Sequence, residues 1–509
     1  MSMRSARILL TTMLLAGGLF VLAIPYADAA PLGCVDGVQS DFNGDGYADA
    51  VVGDPDATVS GHAYAGRVVV LYGDSDGRIG EGARAVVSQD SAGVAGSAEA
   101  YDHFGFSLAV ADLDCDKFTD LVVGTPYENV NGQVESGYVQ VVWGASTGLG
   151  TGDPSRQYSQ ATFGEDIVAG DNFGYAVDVL EDAGAASPYA YALAIGVPGG
   201  DVGSDTDAGW VGIEGPGGDL PFRLTLTQDT PGIPGATEPD DRFGASVSLN
   251  YLLGDIGIVD VAVGSPTENV GSVVDAGTVT VVRDLDEGID GAVVYDQNSA
   301  GVASFPEGDD RFGYTLDSTR PGSITRLAVG VPYEDIGSDE SAGLVQLFSG
   351  NGSTLTAGTG LTQDTDEVAN ATESNDLFGY AVVWARPGLG DTVSRLAVSA
   401  PCEDGAAKDT GLVQVFPLSN LGAEKSYTQN SSGIQSVAEA GDRFGAALAV
   451  VSGPSERALL VGVPEETDYG IGMVNVIPFG GGDLRAWVPG AGGIPAAADR
   501  FGAALAGTG

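Results

Sequence analysis

The sequence predicts an all-β protein, a seven-bladed β-propeller built from four-stranded antiparallel blades. Three observations lead to this prediction. Glycine supplies 79 of the 509 residues, about twice the usual share of roughly 7 %, which indicates many tight turns. Two short motifs each occur seven times along the chain. Between them lie short runs rich in β-branched residues and bounded by turn residues, a pattern typical of antiparallel strands.

The first repeated motif is Asp-x-Phe-Gly, and most of its copies are 66 to 70 residues apart. Its seven copies begin at Asp102, Asp171, Asp241, Asp310, Asp376, Asp442 and Asp499. The second motif is an apolar strand that ends in Gly-x-Pro, with Ser399 replacing the glycine in the sixth copy. Its prolines are Pro55, Pro126, Pro198, Pro266, Pro332, Pro401 and Pro464.

Each repeat is long enough for four short strands. In the second repeat, the alternation predicts strands over residues 105–110, 121–124, 138–143 and 156–160. Four antiparallel strands per period favour a propeller over a sandwich or a solenoid, because a closed ring covers the edges of the first and last blades.

The two ends of the chain predict how this ring closes. Pro55 has no Phe-Gly before it, and Phe501 has no Gly-x-Pro after it. The C-terminal repeat therefore stops where the N-terminal repeat begins. We expect residues 503–506 to pair beside residues 50–52, so that one blade contains both ends of the chain.

Composition and charge exclude several classes of partner. The 70 acidic and 21 basic residues give a net charge of −49 at neutral pH. Nucleic acids and anionic membranes require basic surfaces, so neither is expected as a partner. The hydrophobic share of 43 % is high enough for a sizeable core.

The N-terminus has the pattern of an export signal. Arg4 and Arg7 precede an apolar run over residues 8–24, and a small-residue stretch around Ala29 follows. This order predicts a signal peptide over residues 1–29, with a retained anchor as the weaker alternative. The predicted mature chain, residues 30–509, is then one secreted propeller domain without a transmembrane segment, and we expect a monomer.

An exported chain can form disulfides, and this one has three cysteines. Cys34 precedes an acidic loop in the first repeat, and Cys115 lies within the matching loop of the second. We therefore predict a Cys34–Cys115 disulfide. Cys402 is left as a buried thiol.

The acidic loop of the first repeat has the spacing of a calcium site. Asp41, Asn43, Asp45 and Asp49 present side-chain oxygens at positions 1, 3, 5 and 9, and Tyr47 offers its backbone carbonyl. A glycine at position 6 allows the sharp turn, as in other loops that wrap a hard cation. The segment that follows has the pattern of a strand, which excludes an EF-hand.

The second repeat contains a matching loop. Asp112, Asp114, Asp116 and Asp120 supply the four side-chain positions, with Phe118 at the carbonyl position. Lys117 replaces the glycine, so we expect weaker binding or a different turn. In the later repeats these carboxylates are lost, apart from Asp260 in the fourth. The sequence thus predicts about two Ca²⁺ sites.

The paired motifs identify a family resemblance that covers nearly the whole predicted mature chain. Phe-Gly, a strand and then Gly-x-Pro, repeated seven times, resemble the FG-GAP repeats of the integrin α-subunit propeller and its bacterial relatives. The resemblance implies calcium in the loops before the Gly-x-Pro strands, in agreement with the oxygen spacing. It implies function only loosely, because FG-GAP propellers occur in adhesion modules, lectin-like binders and appendages of hydrolases.

No catalytic motif is recognisable in the sequence. Gly-x-Ser-x-Gly occurs at residues 73–77 and 144–148, but both copies follow a strand at the same place in successive repeats and are better interpreted as hairpin turns. Paired acids near a propeller axis are not excluded, because they need no sequence motif. We nevertheless expect that the chain is not an enzyme.

One further element follows most Gly-x-Pro motifs. It places an acid two residues after the proline, as at Glu128, Glu334 and Glu403. We expect this acid to cap a turn or to pair with the arginine of a neighbouring Asp-Arg-Phe-Gly. A ligand-binding rim is the alternative.

Two functions of different classes remain. The first is a calcium-stabilised, integrin-like module for adhesion to an extracellular protein or glycan. The second is a secreted hydrolase that acts on a glycan or a lipid-linked substrate.

Overall fold

The computed structural model describes residues 38–507, apart from 182–190, 216–221, 254–258, 286–288, 290, 322–323, 351–353, 366–367, 369, 387–392, 423–424, 469–470 and 497–498. The predicted signal peptide and Cys34 lie outside the described residues. Among the described residues, no helix is both long enough and apolar enough to span a bilayer.

Seven antiparallel sheets form the seven predicted blades, which we number by their Gly-x-Pro motifs. Blade one contains β1 (Ala50–Asp54), β2 (Arg67–Leu71), β3 (Arg84–Val87) and the last strand, β29 (Ala504–Ala506). Blade two contains β4 (Ser107–Ala111), β5 (Asp120–Thr125), β6 (Tyr138–Val142) and β7 (Arg156–Tyr158). These four strands confirm the prediction for the second repeat.

The other blades repeat this order. Blade three contains β8 (Ala176–Glu181), β9 (Tyr191–Val197), β10 (Trp210–Gly215) and β11 (Phe222–Leu226), preceded by a short 3₁₀ helix (Gln160–Phe163). Blade four contains β12 (Ser246–Asn250), β13 (Asp260–Ser265), β14 (Thr278–Val282) and β15 (Ala292–Tyr295). Blade five contains β16 (Thr315–Thr319), β17 (Thr325–Val331), β18 (Leu344–Gly350) and β19 (Leu355–Leu361).

The last two blades complete the set. Blade six contains β20 (Val382–Ala385), β21 (Arg395–Ala400), β22 (Leu412–Pro417) and β23 (Lys425–Tyr427). Blade seven contains β24 (Ala447–Ser452), β25 (Arg457–Val463), β26 (Ile471–Pro478) and β27 (Arg485–Trp487). A further short strand, β28 (Asp499–Phe501), pairs with β26 in parallel.

Blade one joins the two ends of the chain. β29 pairs with β1 in antiparallel register, with Val51 opposite Ala506 and Gly53 opposite Ala504. The amide of Gly502 also donates to the carbonyl of Gly53 at 3.0 Å. The strand nearest the axis in this blade therefore comes from the C-terminus, while the other three come from the N-terminus.

The two repeated motifs hold neighbouring blades together. All seven phenylalanines of Asp-x-Phe-Gly are completely buried. At Gly196, the glycine of a Gly-x-Pro motif, an added Cβ would lie 2.0 Å from the carbonyl oxygen of Gly244, in the Phe-Gly of the next blade. No side chain fits there, which explains why the two motifs recur together.

The hydrophobic core lies between the blades. The described residues form seven apolar clusters, each shared by two neighbouring blades. The innermost strands of the blades surround a central cavity of about 350 Å³. Because side chains alternate across a strand, these strands can supply polar groups to the axis.

Candidate functional site

The first acidic loop gathers the predicted oxygens in blade one. One carboxylate oxygen from each of Asp41, Asp45 and Asp49 lies within 4.8 Å of the others. Asp41 accepts hydrogen bonds from the amides of Gly44 at 2.7 Å and Gly46 at 2.8 Å, which fold the loop around its carboxylate. This donor set suits a hard cation.

Asn43 and Tyr47 lie in the same turn. The side-chain oxygen of Asn43 accepts from the amide of Asp45 at 3.0 Å. The amide of Tyr47 in turn donates to Asp45 Oδ1 at 3.0 Å. The five predicted ligand positions therefore belong to one compact loop.

The acid at position 9 also has a structural role. Asp49 accepts from the amides of Phe42 and Gly73, both at 2.8 Å, and so ties the loop to the end of β2. Burial, followed by the charges of Asp41 and Asp45, raises the pKa of Asp49 to about 8. Unless this negative charge is balanced, it destabilises the buried site.

Blade two repeats the arrangement. Carboxylate oxygens of Asp112, Asp114 and Asp120 lie within 4.8 Å of one another, whereas Asp116 is exposed and is not part of this group. Burial raises the pKa of Asp120 to about 8, with further contributions from the charges of Asp114 and Asp112. Three of the four predicted carboxylates are therefore brought together.

The turn in the second loop differs from the prediction. Lys117 adopts a φ of 81°, close to the 89° of Gly46 at the same position in the first loop. The two loops therefore fold alike, and the lysine is held in a backbone conformation that favours glycine.

The two loops are in direct contact. The amide of Thr119 donates to the carbonyl of Asp41 at 2.8 Å. The ring of Phe118 packs on the first loop, where a Cβ on Gly44 would lie 2.3 Å from it. Any ion held by one loop therefore stabilises a contact between blades one and two.

Blade four contains one carboxylate of the acidic-loop pattern, Asp260, without the others. Asp260 accepts from the amides of Leu253 at 2.7 Å and Asp284 at 3.2 Å, in the way that Asp49 and Asp120 fix their own loops. This acid is retained without the remaining ligands because it organises the backbone.

Of the two cysteine predictions, only the one for Cys402 lies entirely within the residues that the structure describes. Cys34 lies outside the described residues, so the Cys34–Cys115 disulfide stays a prediction. Cys402 is a free thiol, as expected, but it is half-buried rather than buried.

The central cavity contains an arc of polar side chains that the sequence did not reveal. Asp178, Ser248 and Asp317 each lie four residues after the glycine of Phe-Gly, in blades three, four and five, and all three line the cavity. The blades present the same strand position at the same depth, so these side chains follow one another around the axis.

The two acids of this arc bridge neighbouring blades. Asp178 Oδ2 accepts from the amide of Leu249 at 2.7 Å, and Asp317 Oδ2 accepts from the amide of Trp384 at 2.5 Å. Between them, the hydroxyls of Ser248 and Ser318 lie 2.8 Å apart. The acids thus satisfy amide groups on the free edges of the innermost strands.

Both acids have raised pKa values. Burial raises the pKa of Asp178 to about 6 and that of Asp317 to about 7. The charge of Asp178 raises the pKa of Asp317 further, while Arg386, which also lines the cavity, lowers both. At neutral pH, one of these acids can be protonated while the other is ionised.

Aromatic side chains surround the axis at the end of the inner strands where the Phe-Gly turns lie, which we call the Phe-Gly face. Tyr314 lies 5.4 Å from Tyr380 and 5.7 Å from Tyr333, measured between ring centroids. Phe106 lies 5.1 Å from Tyr175. Phe106 precedes β4, and the second acidic loop follows it, so this aromatic mouth and the acidic loops lie at opposite ends of the inner strands.

The Gly-x-Ser-x-Gly segments are turns, as predicted. The amide of Gly77 donates to the carbonyl of Asp74 at 2.8 Å, and the amide of Gly148 donates to that of Ala145 at 2.7 Å. Neither segment leads into a helix, so neither has the backbone of a nucleophile elbow.

The seven-bladed fold and its paired motifs have the pattern of FG-GAP repeats. A family model described as "FG-GAP repeat" matches residues 37–71 and 104–142. Together with the seven-bladed fold, this match agrees with the predicted resemblance to the FG-GAP repeats of the integrin α-subunit propeller.

Curated relatives extend the comparison to enzymes. The chain is 30 % identical over 175 residues to the phosphatidylinositol-glycan-specific phospholipase D of Rattus norvegicus, covering 34 % of this chain and 20 % of the relative. The corresponding protein of Bos taurus is 30 % identical over 30 % of this chain and 18 % of its own length. That of Homo sapiens is 30 % identical over 27 % of this chain and 16 % of its own length.

These relatives contradict the expectation that the chain is not an enzyme. Each of them is named as a phospholipase D. The matched part spans about a fifth or less of their length. The expectation was wrong because it rested on the lack of a recognisable sequence motif, and that lack does not exclude an enzyme.

Proposed function

We propose that the protein is an exported hydrolase that acts on lipid-linked glycans, with its candidate catalytic centre in the central cavity. The observation that carries this proposal is the similarity to phospholipases D that are specific for phosphatidylinositol-glycan. The polar arc of the cavity contains two acids, Asp178 and Asp317, which suit proton transfer during hydrolysis. Residues 1–29 direct export and are then removed, and the protein acts as a monomer.

The substrate class defines what the cavity must do. A phospholipase D hydrolyses a phosphodiester, so the site must hold an anionic phosphate in a strongly acidic protein. Arg386 lines the cavity and is exposed, and a guanidinium suits bidentate binding of phosphate oxygens. Arg386 therefore orients the phosphodiester.

The two acids then supply proton transfer. Asp178, with the lower pKa, takes a proton from the attacking water as it bonds to phosphorus. Asp317, with the higher pKa, gives a proton to the glycan oxygen as its bond to phosphorus breaks. The products are a lipid phosphate and a free glycan. Asp178 then releases its proton to solvent, and Asp317 takes one up.

Calcium has a structural part in this proposal. The loops of Asp41 and Asp112 would each hold one Ca²⁺ and stabilise the contact between blades one and two. Because these loops lie at the end of the inner strands away from the aromatic mouth, the ions take no part in the reaction.

The test uses a phosphatidylinositol-glycan-anchored protein in detergent micelles. The wild-type chain should release it into the aqueous phase. Asp317→Asn and Asp178→Asn should each reduce the release at least about 100-fold, since general acid–base groups contribute about 10²–10⁴-fold. Asp76→Asn makes the same charge change at an exposed turn and should retain full activity.

Two results would contradict the proposal. One is a folded wild-type protein that releases no anchored protein. The other is full activity in both cavity variants, which would place the reaction elsewhere.

The aromatic mouth favours a second candidate function, glycan binding without hydrolysis. Tyrosine rings such as Tyr314 and Tyr333 present both apolar faces and hydroxyl groups, which suits contact with sugar rings. In the same experiment, this function would give glycan-dependent retention of the chain on micelles but no released protein.

A further inference from the structure

A second set of acidic clusters recurs at the Phe-Gly face, outside the acidic loops and the cavity. In five blades a glutamine follows the outer strand of the preceding blade. A first glutamate, such as Glu373, comes ten residues after this glutamine, and the aspartate of Asp-x-Phe-Gly comes three residues later. A second glutamate, such as Glu403, follows the Gly-x-Pro motif of the same blade. The glutamines are Gln89, Gln228, Gln297, Gln363 and Gln429.

Each glutamine donates to the glutamate that follows Gly-x-Pro. In blade six, Gln363 Nε2 donates to Glu403 Oε2 at 2.5 Å. In blade seven, Gln429 Nε2 donates to Glu466 Oε2 at 2.7 Å. The expected pairing of these glutamates with arginine is therefore wrong, since the amide of a buried glutamine takes that place.

Three carboxylates converge on this glutamine in blades six and seven. Oxygens of Glu373, Asp376 and Glu403 lie within 4.8 Å of one another. Glu439, Asp442 and Glu466 form the same group in blade seven. Within the described part of the chain, no lysine or arginine forms an ion pair with these six acids.

The carbonyl oxygen of each glutamine has no hydrogen-bond partner. This holds for all five glutamines, none of which is more than 4 % exposed. The carbonyl oxygen is bonded to the same carbon as the amide nitrogen that donates to the glutamate, so it lies beside the cluster. A buried acceptor without a donor is costly, and in blades six and seven it occurs next to three carboxylates that could share a cation with it.

Blade three provides a contrast within the chain. There Gly200 stands where the five blades with the cluster have the glutamate. The corresponding Gln160 is fully satisfied, because its carbonyl accepts from the amide of Val168 at 2.8 Å and its amide donates to the carbonyl of Ser136 at 3.1 Å. The unpartnered carbonyl therefore occurs together with the glutamate and is not a general feature of the repeat.

We propose that the clusters of blades six and seven are calcium sites, separate from the two acidic loops. Each offers three carboxylates and one amide carbonyl, all oxygen ligands, and a hard divalent cation would satisfy the unpartnered carbonyl while neutralising the acids. Each site lies between the outer strand of one blade and the Phe-Gly turn of the next. The ion therefore links neighbouring blades.

The test counts calcium in a chain whose acidic loops have been disabled. In the background Asp45→Ala with Asp114→Ala, equilibrium dialysis with elemental analysis should find two bound Ca²⁺ per chain. Adding Glu403→Gln should remove one ion, and adding Glu466→Gln should remove the other. Asp404→Asn, which makes the same charge change at the exposed neighbour of Glu403, should remove none.

A second variant keeps the proposal testable if the glutamate variants fail to fold. Gln363→Met keeps the three carboxylates of blade six and removes only the carbonyl ligand, so it should weaken one of the two remaining sites at least about tenfold. The proposal is overturned if the loop-disabled chain binds no calcium at millimolar concentrations. It is also overturned if bound calcium is unchanged by Glu403→Gln and Glu466→Gln, which would mean that protons on the carboxyl groups satisfy the glutamines.

Discussion

Phe501 offers a direct measure of how strongly the two ends of the chain hold the ring. Its ring is completely buried in the cluster shared by blades one and seven. Replacing a buried phenylalanine by alanine costs about 3–5 kcal/mol, a large part of a typical folding free energy of about 5–15 kcal/mol. Phe501→Ala should therefore lower the free energy of unfolding by about that amount.

The measurement is urea unfolding followed by fluorescence and circular dichroism. Phe305→Ala is the matched control, because Phe305 is 78 % exposed and such surface changes usually stay within about 0.5 kcal/mol. Deleting residues 499–509 goes further, since it also removes the pairing of β29 with β1, and should prevent stable folding. Our account of blade one would be refuted if Phe501→Ala cost no more than the control, or if the truncated chain were as stable as the parent.

Four further predictions concern the loops, the cavity and the cysteines. A calcium chelator should lower the melting temperature, and Asp45→Ala should remove part of that effect; a melting curve unmoved by chelator would mean that the loops hold no ion. Lys117→Gly relieves a positive φ and should raise thermal stability by about 1 kcal/mol; an unchanged or lower stability would contradict strain at this position. Because the pKa of Asp317 is raised from 3.8 to about 7, its contribution to stability is fully present below pH 3.8 and is lost as the pH rises towards 7. The stability of Asp317→Asn relative to wild type should therefore be greater at pH 8 than at pH 5. Equal stability differences at the two pH values would exclude the raised pKa. Non-reducing peptide mapping should find Cys34 linked to Cys115, and a crosslink that contains the third cysteine would exclude this pairing.

The fold was predictable because its two motifs are steric requirements of the blade interface. The approach of Gly196 to the Gly244 carbonyl leaves room for no side chain, so the sequence must show glycine there. The phenylalanine before Gly244 is completely buried for the same interface. This close approach recurs in six of the seven blades, all except blade six with its Ser399, and is visible as a period in the sequence.

The acidic loops were predictable because their ligands are close in sequence. The spacing of Asp41, Asp45 and Asp49 brings their oxygens together within one turn. The conformation of Lys117 was not predictable from its residue type, which does not favour a positive φ. Its amide donates to Asp112 Oδ2 at 2.9 Å, as the amide of Gly46 does to Asp41, so the carboxylate imposes the glycine-like turn.

The cavity and the second set of clusters were not recognised because their members come from different blades. Asp178 and Asp317 become neighbours on the axis only when the blades are arranged in a ring. Aligning the residue four positions after each Phe-Gly would have revealed them. Aligning the repeats would also have shown that a glutamine such as Gln363 occurs in each blade that has a glutamate such as Glu403. The glutamine, rather than an arginine, could then have been predicted as the partner of the glutamate.

The pairing of Gly53 with Ala504 sets the order in which the molecule can form. A ribosome that adds about 5–20 residues per second needs roughly 20 to 90 seconds to travel between these two positions. Throughout that interval, β1 has no partner on its inner side, and its free edge is open to pairing with other chains. Blades two to seven can assemble while synthesis continues, but blade one has to wait for β29. Closure of the ring is thus the last step of assembly, and the inner edge of β1 stays unpaired until it occurs.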